Sequence, residues 1–292
     1  MTAPPVVILL DFDGTIVGDV EWFSAEYGFI QEMKRRIMGL QVKYKSDYII
    51  NDLLRGMIRP HFVEFIKAIK EHNPNVEFFI YTASDDDWAK FIIPVIEKRL
   101  QLQFPRPIVS RSSCSWTGSI FQKSIELVRP KLYKALKRKY KLTKPEDLDN
   151  IILIDNNPRS LIERKYQVRC PTYDFQLPLN ICRQIPVDLM PPKVAEQVLS
   201  EASNVMKGLT LCEDAKCSDD NIQHQFHTYI AKAYRQACKI NKKEVRDEYW
   251  KRLRKRMLKY PINQYYGKMD KYATVLNRMN EKERDSRPST TG

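Results

Sequence analysis

Residues 6–15 read Val-Val-Ile-Leu-Leu-Asp-Phe-Asp-Gly-Thr, an apolar run that ends in two aspartates. A β-branched and leucine-rich run of this length is typical of a buried parallel strand, and open α/β sheets bind ligands where such strands end. Side chains two residues apart in an extended chain point the same way, so the carboxylates of Asp11 and Asp13 converge. Adjacent carboxylates repel unless a cation or a shared proton neutralises them, and oxygen ligands alone favour a hard cation such as Mg²⁺. A plain Asp-Gly turn at Gly14 would need only one of the aspartates.

Composition limits the class of protein. The chain has 292 residues, of which 43% are hydrophobic, and this suits one α/β domain with an extension or two domains. No apolar run approaches the roughly 20 residues that span a membrane, and the first residues lack the pattern of a signal peptide. Six cysteines without close pairing are typical of a reduced compartment. We therefore expect an intracellular protein, nuclear or cytoplasmic, with no membrane partner.

The net charge of +13 is concentrated towards the C-terminal end. Residues 229–285 hold 17 Lys and Arg against 7 Asp and Glu, whereas the residues before them are near neutral. This predicts a basic segment that meets an anionic partner, such as nucleic acid or a nucleic-acid-bound protein. Trp250, Leu253 and Met257 follow helical spacing, so the alternative is an amphipathic helix that packs on the catalytic body with its basic face in water.

Two further apolar runs end in polar residues: strands predicted at Val76–Tyr81 and Ile151–Ile154 precede Thr82 and Asp155. Strands that alternate with helices predict an α/β fold with a mainly parallel sheet covered on both faces, whose strand ends share one site. The other predicted elements are helices at Phe62–Lys70, Trp88–Leu100 (with the acidic start Asp85-Asp86-Asp87), Ile125–Tyr140 (interrupted or started at Pro130), Arg159–Tyr166, Val194–Met206, Gln223–Tyr260 and Lys268–Met279, short strands at Pro105–Ser110 and within Val168–Phe175, and a loop over Arg111–Phe121.

Several segments match a known pattern in the correct order. They are Asp11–Thr15 (Asp-x-Asp-x-Thr), Arg59–Phe65 (Arg-Pro-Gly-x-x-x-Phe), Tyr81–Ser84 (Phe-Thr-Ala-Ser), Lys123 with Arg111 twelve residues upstream, and Leu153–Ser160 (Leu-Asp-Asn-Ser-Pro-x-Ser). Together they resemble the haloacid dehalogenase (HAD) superfamily over about residues 5–175, and within it the RNA polymerase II C-terminal-domain (CTD) phosphatases, the small CTD phosphatases and the NLI-interacting-factor-like branch. Gly14 stands where this branch has Glu, and His61 stands where it has Gly.

The resemblance implies a Rossmann-like HAD core with a small or absent cap, followed here by a helical basic C-terminal extension. It implies a Mg²⁺-dependent phosphomonoester hydrolase that acts on phosphoserine or phosphothreonine in a protein through an aspartyl-phosphate. A carboxylate can attack phosphorus and so divide hydrolysis into two easier steps. Asp11 would be the nucleophile and a Mg²⁺ ligand, and Asp13 would transfer the proton and bind the metal through its backbone carbonyl. The other implied site residues are Thr82 and Lys123 at the phosphoryl group, Thr15 and Arg111 for substrate binding, and Asn156 and Asp155 around the metal.

The sequence leaves other interpretations open. Arg129 and Lys131 compete with Lys123 for the position of the third-motif lysine. The substrate could be a small metabolite, with Glu21–Arg55 as a small cap, or a nucleic-acid 3′-phosphate. A third alternative is an assembly or structural protein that uses the HAD fold as a binding module. The chain also resembles divergent phosphatases of large DNA viruses, among them nucleocapsid-assembly proteins, for which the location would be the host nucleus or the virion.

The domain organisation follows from the motifs and the composition. We predict a phosphatase domain over residues 1–180, a helical basic extension over 181–285 and a disordered tail over 286–292. Cys212, Cys217, His224 and His227 have spacings only loosely like those of a zinc site, without a C-x₂-C pair, so we expect no zinc there.

Overall fold

The structure is a computed structural model that describes residues 3–18, 56–175 and 239–284. Sequence predictions for several segments lie outside these residues: the cap region Glu21–Arg55, the helix Val194–Met206, the first part of Gln223–Tyr260, the cysteine and histidine segment 212–227, and the tail 286–292. The domain boundaries at 180 and 285 also fall outside them and stay a prediction. Among the described residues, no helix is both long and apolar enough to cross a membrane.

The described elements alternate between strands and helices, as an α/β fold requires. In chain order they are β1 (Val6–Leu10), α1 (Phe62–His72), β2 (Val76–Ile80), α2 (Asp86–Leu100), β3 (Ser115–Trp116), β4 (Phe121–Gln122), α3 (Ile125–Tyr140), β5 (Ile151–Asp155), β6 (Gln167–Arg169), α4 (Tyr249–Lys259) and α5 (Met269–Arg284).

One parallel sheet in the order β2-β1-β5-β6 forms the centre of the fold. Every residue of β1, β2 and β5 is buried, as their largely apolar sequences predict, and the buried residues include the charged Glu77 of β2 and Asp155 of β5. The sheet places the C-terminal ends of its central strands side by side, because Leu10 pairs with both Ile80 and Ile154. The α/β fold with a mainly parallel sheet and a helical C-terminal region is therefore confirmed.

Helices cover both faces of the sheet. On one face, Leu9 and Leu153 belong to a buried cluster with Val128 and Leu132 of α3. On the other face, the Phe65 ring of α1 lies 5.8 Å from that of Phe78.

Helix α4 packs on α1 through its apolar side. The Trp250 ring lies 4.7 Å from the Phe65 ring and 5.2 Å from the Phe62 ring. Tyr249, Leu253 and Met257 are buried with it, whereas Lys251, Lys255 and Lys259 are exposed. This is the amphipathic arrangement that the spacing of Trp250, Leu253 and Met257 predicts.

Contacts divide the chain into two compact units, and the sheet with helices α1 to α5 lies in the first. The last of the chain segments that make up this first unit begins at Asp247. Helix α5 is joined to the outer strand β6 within this unit, because Asn277 donates to the Gln167 carbonyl at 2.9 Å and accepts from the Arg169 amide at 2.8 Å.

Helices α1 to α3 and strands β1, β2 and β5 agree with the sequence predictions to within about two residues at their ends. The C-terminal helices depart from the predictions, because α5 runs to Arg284, five residues beyond the predicted end, and the helix predicted over Gln223–Tyr260 is interrupted at residues 245–248. At this break the Asp247 side chain binds Arg59 and accepts from the Tyr249 amide, so α4 starts anew there.

The acidic run before α2 is a helix start as expected, with Asp85 at the N-cap and Asp86 and Asp87 in the first turn. Helix α3 runs through Pro130 without interruption, which corrects the predicted break. A proline here removes one backbone hydrogen bond, and the buried Val128 and Leu132 on either side hold the helix together.

Three local predictions were wrong. Pro105–Ser110 forms only one bridge, Val109 with Tyr81, since its prolines cannot donate to a ladder. The predicted loop Arg111–Phe121 contains the short hairpin β3–β4, closed around Gly118, whose φ is 88°. Arg159–Tyr166 has only a final 3₁₀ turn, because the backbone of residues 160–162 pairs with Lys123 instead of with itself.

Candidate active site

The first turn of the site follows β1 and is shaped by hydrogen bonds of its own backbone. The amides of Ile16 and Val17 both donate to the Phe12 carbonyl, at 2.9 and 3.2 Å. Gly14 has a φ of 69°, and a Cβ built on it would lie 2.6 Å from the side-chain nitrogen of Asn156. Only glycine fits this turn without displacing Asn156.

Asp11 is almost completely buried and is held from two sides. The Thr15 hydroxyl donates to its Oδ2 at 2.9 Å, and the Lys123 ammonium donates to its Oδ1. The Lys123 Nζ also donates to Asp155 Oδ2 at 2.6 Å, so one buried lysine joins the carboxylates that follow β1 and end β5.

The structure places Lys123, and neither of the competing residues, at Asp11. Lys131 donates to the Ser113 hydroxyl at 2.6 Å, and Arg129 bonds Glu126 and the Leu148 carbonyl. Burial alone would lower the pKa of Lys123, but the charges of Asp11 and Asp155 outweigh burial and raise it. The lysine is therefore held in its charged form.

Three carboxylates share this small space with one lysine. Burial, followed by the charges of Asp155 and Asp13, raises the pKa of Asp11 to about 7 in spite of the opposing attraction of Lys123. The donor set is all oxygen and has more negative than positive charge, so a hard dication fits it. Among the described residues, no group of three or more His, Cys, Asp or Glu side chains is arranged to hold a metal ion. The predicted set differs from such a group because it includes the Asn156 amide and the Asp13 backbone carbonyl.

Asp13 faces the residues that follow β2. Its Oδ2 accepts from the Thr82 hydroxyl at 3.3 Å and from the Ser84 hydroxyl. The Thr82 oxygen in turn accepts from the Ser84 amide at 3.0 Å, which fixes both hydroxyl groups. The second aspartate is thus oriented by a different strand end from the first.

Arg111 lies beside this group, at the edge of the site. Its Nε donates to the Ala83 carbonyl at 2.7 Å, and its Nη1 pairs with Asp85 at 2.5 Å. The side chain is 38% exposed, so part of its guanidinium is open to solvent. Its guanidinium carbon lies 5.0 Å from the centre of the Phe121 ring.

Asn156 joins the end of β5 to the turn after β1. Its backbone N–H donates to the Thr15 hydroxyl at 3.2 Å, and its side-chain nitrogen donates to the Thr172 hydroxyl at 3.2 Å. Asp155 accepts from the Asn157 amide at 2.7 Å with the oxygen that does not face Lys123. The structure thus brings together all eight residues that the sequence nominates: Asp11, Asp13, Thr15, Thr82, Arg111, Lys123, Asp155 and Asn156.

Sequence reasoning missed four residues that support the site. Ser84 belongs to the Tyr81–Ser84 motif, but the sequence assigned no role to it. Tyr81 accepts from the Ser124 amide at 3.0 Å, and this fixes the chain next to Lys123. Arg59 was known only as part of a motif, and its partner Asp247 lies 188 residues away with no local pattern that marks it.

Exposed apolar side chains lie next to the site on β3, β4 and the segments that adjoin them. Trp116 is 58% exposed and Phe121 is 36% exposed, and their rings are 4.8 Å apart. Leu127 and Ile162 are also exposed, and the backbone of Ile162 pairs with Lys123. Exposed apolar groups of this kind often mark a binding surface.

Comparison with known proteins identifies the family. The model of the NLI interacting factor-like phosphatases matches residues 6–176. The structure of fission yeast RNA polymerase II CTD phosphatase Fcp1, as a variant bound to beryllium fluoride, is 16% identical with a TM-score of 0.43, over 97% of this chain and 68% of that one. A second structure of Fcp1, described as an essential RNA polymerase II CTD phosphatase, is 14% identical with a TM-score of 0.33, over 88% and 66% of the two chains. No curated protein matches the sequence. The chain belongs to the NLI interacting factor-like phosphatase family and is a phosphatase of the HAD superfamily.

Proposed function

We propose that this phosphatase hydrolyses phosphoserine or phosphothreonine in a protein, depends on Mg²⁺ and acts through a phosphorylated Asp11. The observation that carries the proposal is the placement of Asp11. It is buried between the Thr15 hydroxyl and the Lys123 ammonium, while Asp13 lies two residues away on a separate hydrogen-bond network. One carboxylate is thus suited to attack and the other to proton transfer.

In the first step, an oxygen of Asp11 attacks phosphorus, and the bond from phosphorus to the serine or threonine oxygen breaks. Asp13 gives its proton to the leaving oxygen. In the second step, Asp13 takes a proton from water as the water oxygen attacks phosphorus, which frees Asp11 and releases phosphate. Thr82 and Ser84 keep the Asp13 carboxyl in one orientation through both steps.

Lys123 neutralises negative charge next to the nucleophile. Its ammonium group favours the ionised form of Asp11 and would face the oxygens of a phosphoryl group bound there. Asp155 holds Lys123 in place through their 2.6 Å contact. Thr15 and Arg111 would bind the phosphoryl group and the substrate around it.

Mg²⁺ would be held by Asp11, the backbone carbonyl of Asp13, Asn156 and Asp155. When bound, it supplies positive charge that screens the approach of one anion to another. The excess of carboxylates over lysines in the site supports this assignment.

The surroundings of the site support a protein substrate. A peptide can cover the exposed Trp116 and Phe121 next to Lys123, whereas a small metabolite cannot use them. The free thiols of Cys114 and Cys170 fit an intracellular location, nuclear or cytoplasmic. The exposed lysines of α4 favour a further anionic partner, such as nucleic acid or a protein bound to it.

The test offers the purified chain three kinds of substrate: phosphoserine and phosphothreonine peptides, 3′-phosphorylated oligonucleotides and a panel of phosphorylated metabolites. We expect the peptides to have the highest kcat/KM, with activity lost on chelation and restored by Mg²⁺. Asp11→Asn is the control and should be inactive but folded. A preference for oligonucleotides or metabolites would refute the substrate class, and an active Asp11→Asn protein would refute the nucleophile.

A further inference from the structure

Asp247, which immediately precedes the N-cap of α4, forms a two-pronged ion pair with Arg59. The Arg59 Nε donates to Asp247 Oδ1 at 2.9 Å, and its Nη2 donates to Asp247 Oδ2 at 3.0 Å. The Arg59 side chain has no exposed surface, so this is the strong, planar form of the interaction. A buried guanidinium that loses its carboxylate leaves an uncompensated charge in the interior.

The same arginine is attached to the turn that carries the nucleophile. Its backbone amide donates to the Ile16 carbonyl at 2.8 Å, and its Nη1 donates to the Pro171 carbonyl at 2.8 Å and reaches the Thr15 carbonyl at 3.5 Å. The Thr15 hydroxyl then donates to Asp11. The contacts therefore run from Asp247 through Arg59 and Thr15 to Asp11.

Aromatic rings on either side fix the plane of the guanidinium. Its central carbon lies 4.7 Å from the Tyr249 ring and 5.5 Å from the Tyr173 ring. Tyr249 donates its amide to Asp247 at 2.9 Å, and Tyr173 donates its amide to the Gly14 carbonyl at 2.8 Å. The backbone of Tyr249 is therefore bonded to Asp247, and the backbone of Tyr173 is bonded to the turn that carries the nucleophile.

We propose that Asp247 is a positioning residue for the phosphatase reaction, which acts through Arg59 to hold the Gly14–Val17 turn and so to aim Asp11. The proposal rests on the proposed role of Asp11 as nucleophile. It makes the chain from Asp247 onwards part of the catalytic unit, although the motifs of the family end far before it. If the chain from Asp247 onwards contributed only positive charge or buried surface, it would not need a carboxylate paired with Arg59.

The test compares, in the full chain, two carboxylates that each pair with a basic side chain. Asp247→Asn removes the charge that faces Arg59. The matched control is Glu77→Gln on β2, where a buried carboxylate pairs with Lys139 and Tyr140, away from the turn. Both variants are assayed with free phosphoserine and by thermal unfolding. We expect both to lower the Tm, but only Asp247→Asn to lower kcat, by about tenfold, with KM changed by less than about twofold.

A double-mutant cycle with Arg59→Lys adds a second measure. Because both changes act on one pathway, their effects on kcat should fall well short of additive. If Asp247→Asn does not fold, Asp247→Glu takes its place, and its kcat should fall because the charge is displaced by one methylene group.

The results separate this proposal from the proposed function. An inactive wild-type protein would refute the function itself. An active wild-type protein with the same kcat in a folded Asp247→Asn or Asp247→Glu variant would refute only the positioning role. Failure of both variants to fold would assign Asp247 to stability alone, which also overturns the proposal.

Discussion

The α-carbon of Gly14 approaches Asn156 so closely that a methyl group on it would lie 2.6 Å from the amide nitrogen. Gly14 also has a φ of 69°, which side chains rarely adopt. The backbone conformation and the close packing of Asn156 together require glycine at position 14.

Gly14→Ala should therefore lower both stability and activity. The left-handed backbone costs about 1–2 kcal/mol for a residue with a Cβ, and the contact displaces Asn156 as well. We expect kcat to fall by about tenfold because Asn156 and the turn share the site. Gly118→Ala is the matched control, since Gly118 has a φ of 88° and open space around its Cβ. Equal kcat values in the two variants would show that the contact with Asn156 is unimportant.

His61→Gly should stabilise the protein. His61 precedes α1 with a φ of 65°, and its side chain forms no capping hydrogen bond. Glycine adopts this conformation freely, so we expect a gain of about 0.5–1 kcal/mol in the free energy of unfolding, measured with urea. His61→Ala keeps the Cβ and should give no gain. A loss of stability in His61→Gly would mean that the imidazole makes a contribution of its own.

The sequence predicts those features whose pattern lies within one short stretch of residues, and it misses those that depend on contacts between distant residues. β1 and the strand end at Asp155 were predictable because a buried parallel strand has a nearly continuous apolar run. Lys123 could only be one of three candidates, because a lysine in a loop has no pattern until Asp11 and Asp155 are known to flank it. The helix predicted after Asp155 failed because pairing with the chain at Lys123 outweighed local propensity. Asp247 could not be predicted at all, since nothing near it in sequence indicates Arg59.

The pair of Asp247 and Arg59 should make stability depend on acid pH. Burial alone would raise the pKa of Asp247, but the hydrogen bonds and charge of Arg59 outweigh burial and hold the pKa below its usual range. A depressed pKa stabilises the folded state above the unfolded pKa of about 3.9, and this stabilisation is lost as pH falls through the folded value. Asp11, whose pKa is raised, makes the folded state less stable as the pH rises from about 4 to 7. This contribution is the same in the wild type and in Asp247→Asn, so it cancels when their stabilities are compared.

Urea unfolding of the wild type and Asp247→Asn between about pH 3 and pH 7 isolates this effect. The wild type should be the more stable protein at neutral pH, and the difference should shrink below about pH 4. A difference that stays constant over the whole range would mean that the charge of Asp247 does not contribute to stability.

Trp116 should contribute to the binding of a phosphopeptide substrate and not to that of a free phosphoamino acid. Its side chain is 58% exposed and contacts the Phe121 ring, which in turn lies under the Arg111 guanidinium at the edge of the site. Because little of Trp116 is buried, Trp116→Ala should change the free energy of unfolding by less than about 1 kcal/mol.

We expect Trp116→Ala to raise the KM for a phosphoserine peptide by about fivefold or more and to leave kcat/KM for free phosphoserine within about twofold of the wild-type value. Leu258→Ala is the control, since Leu258 is likewise an exposed apolar side chain but belongs to α4 and not to the hairpin. If both substrates lost activity equally, the hairpin would support the geometry of the site. If neither changed, the peptide would bind elsewhere, and the exposed rings would no longer support a protein substrate.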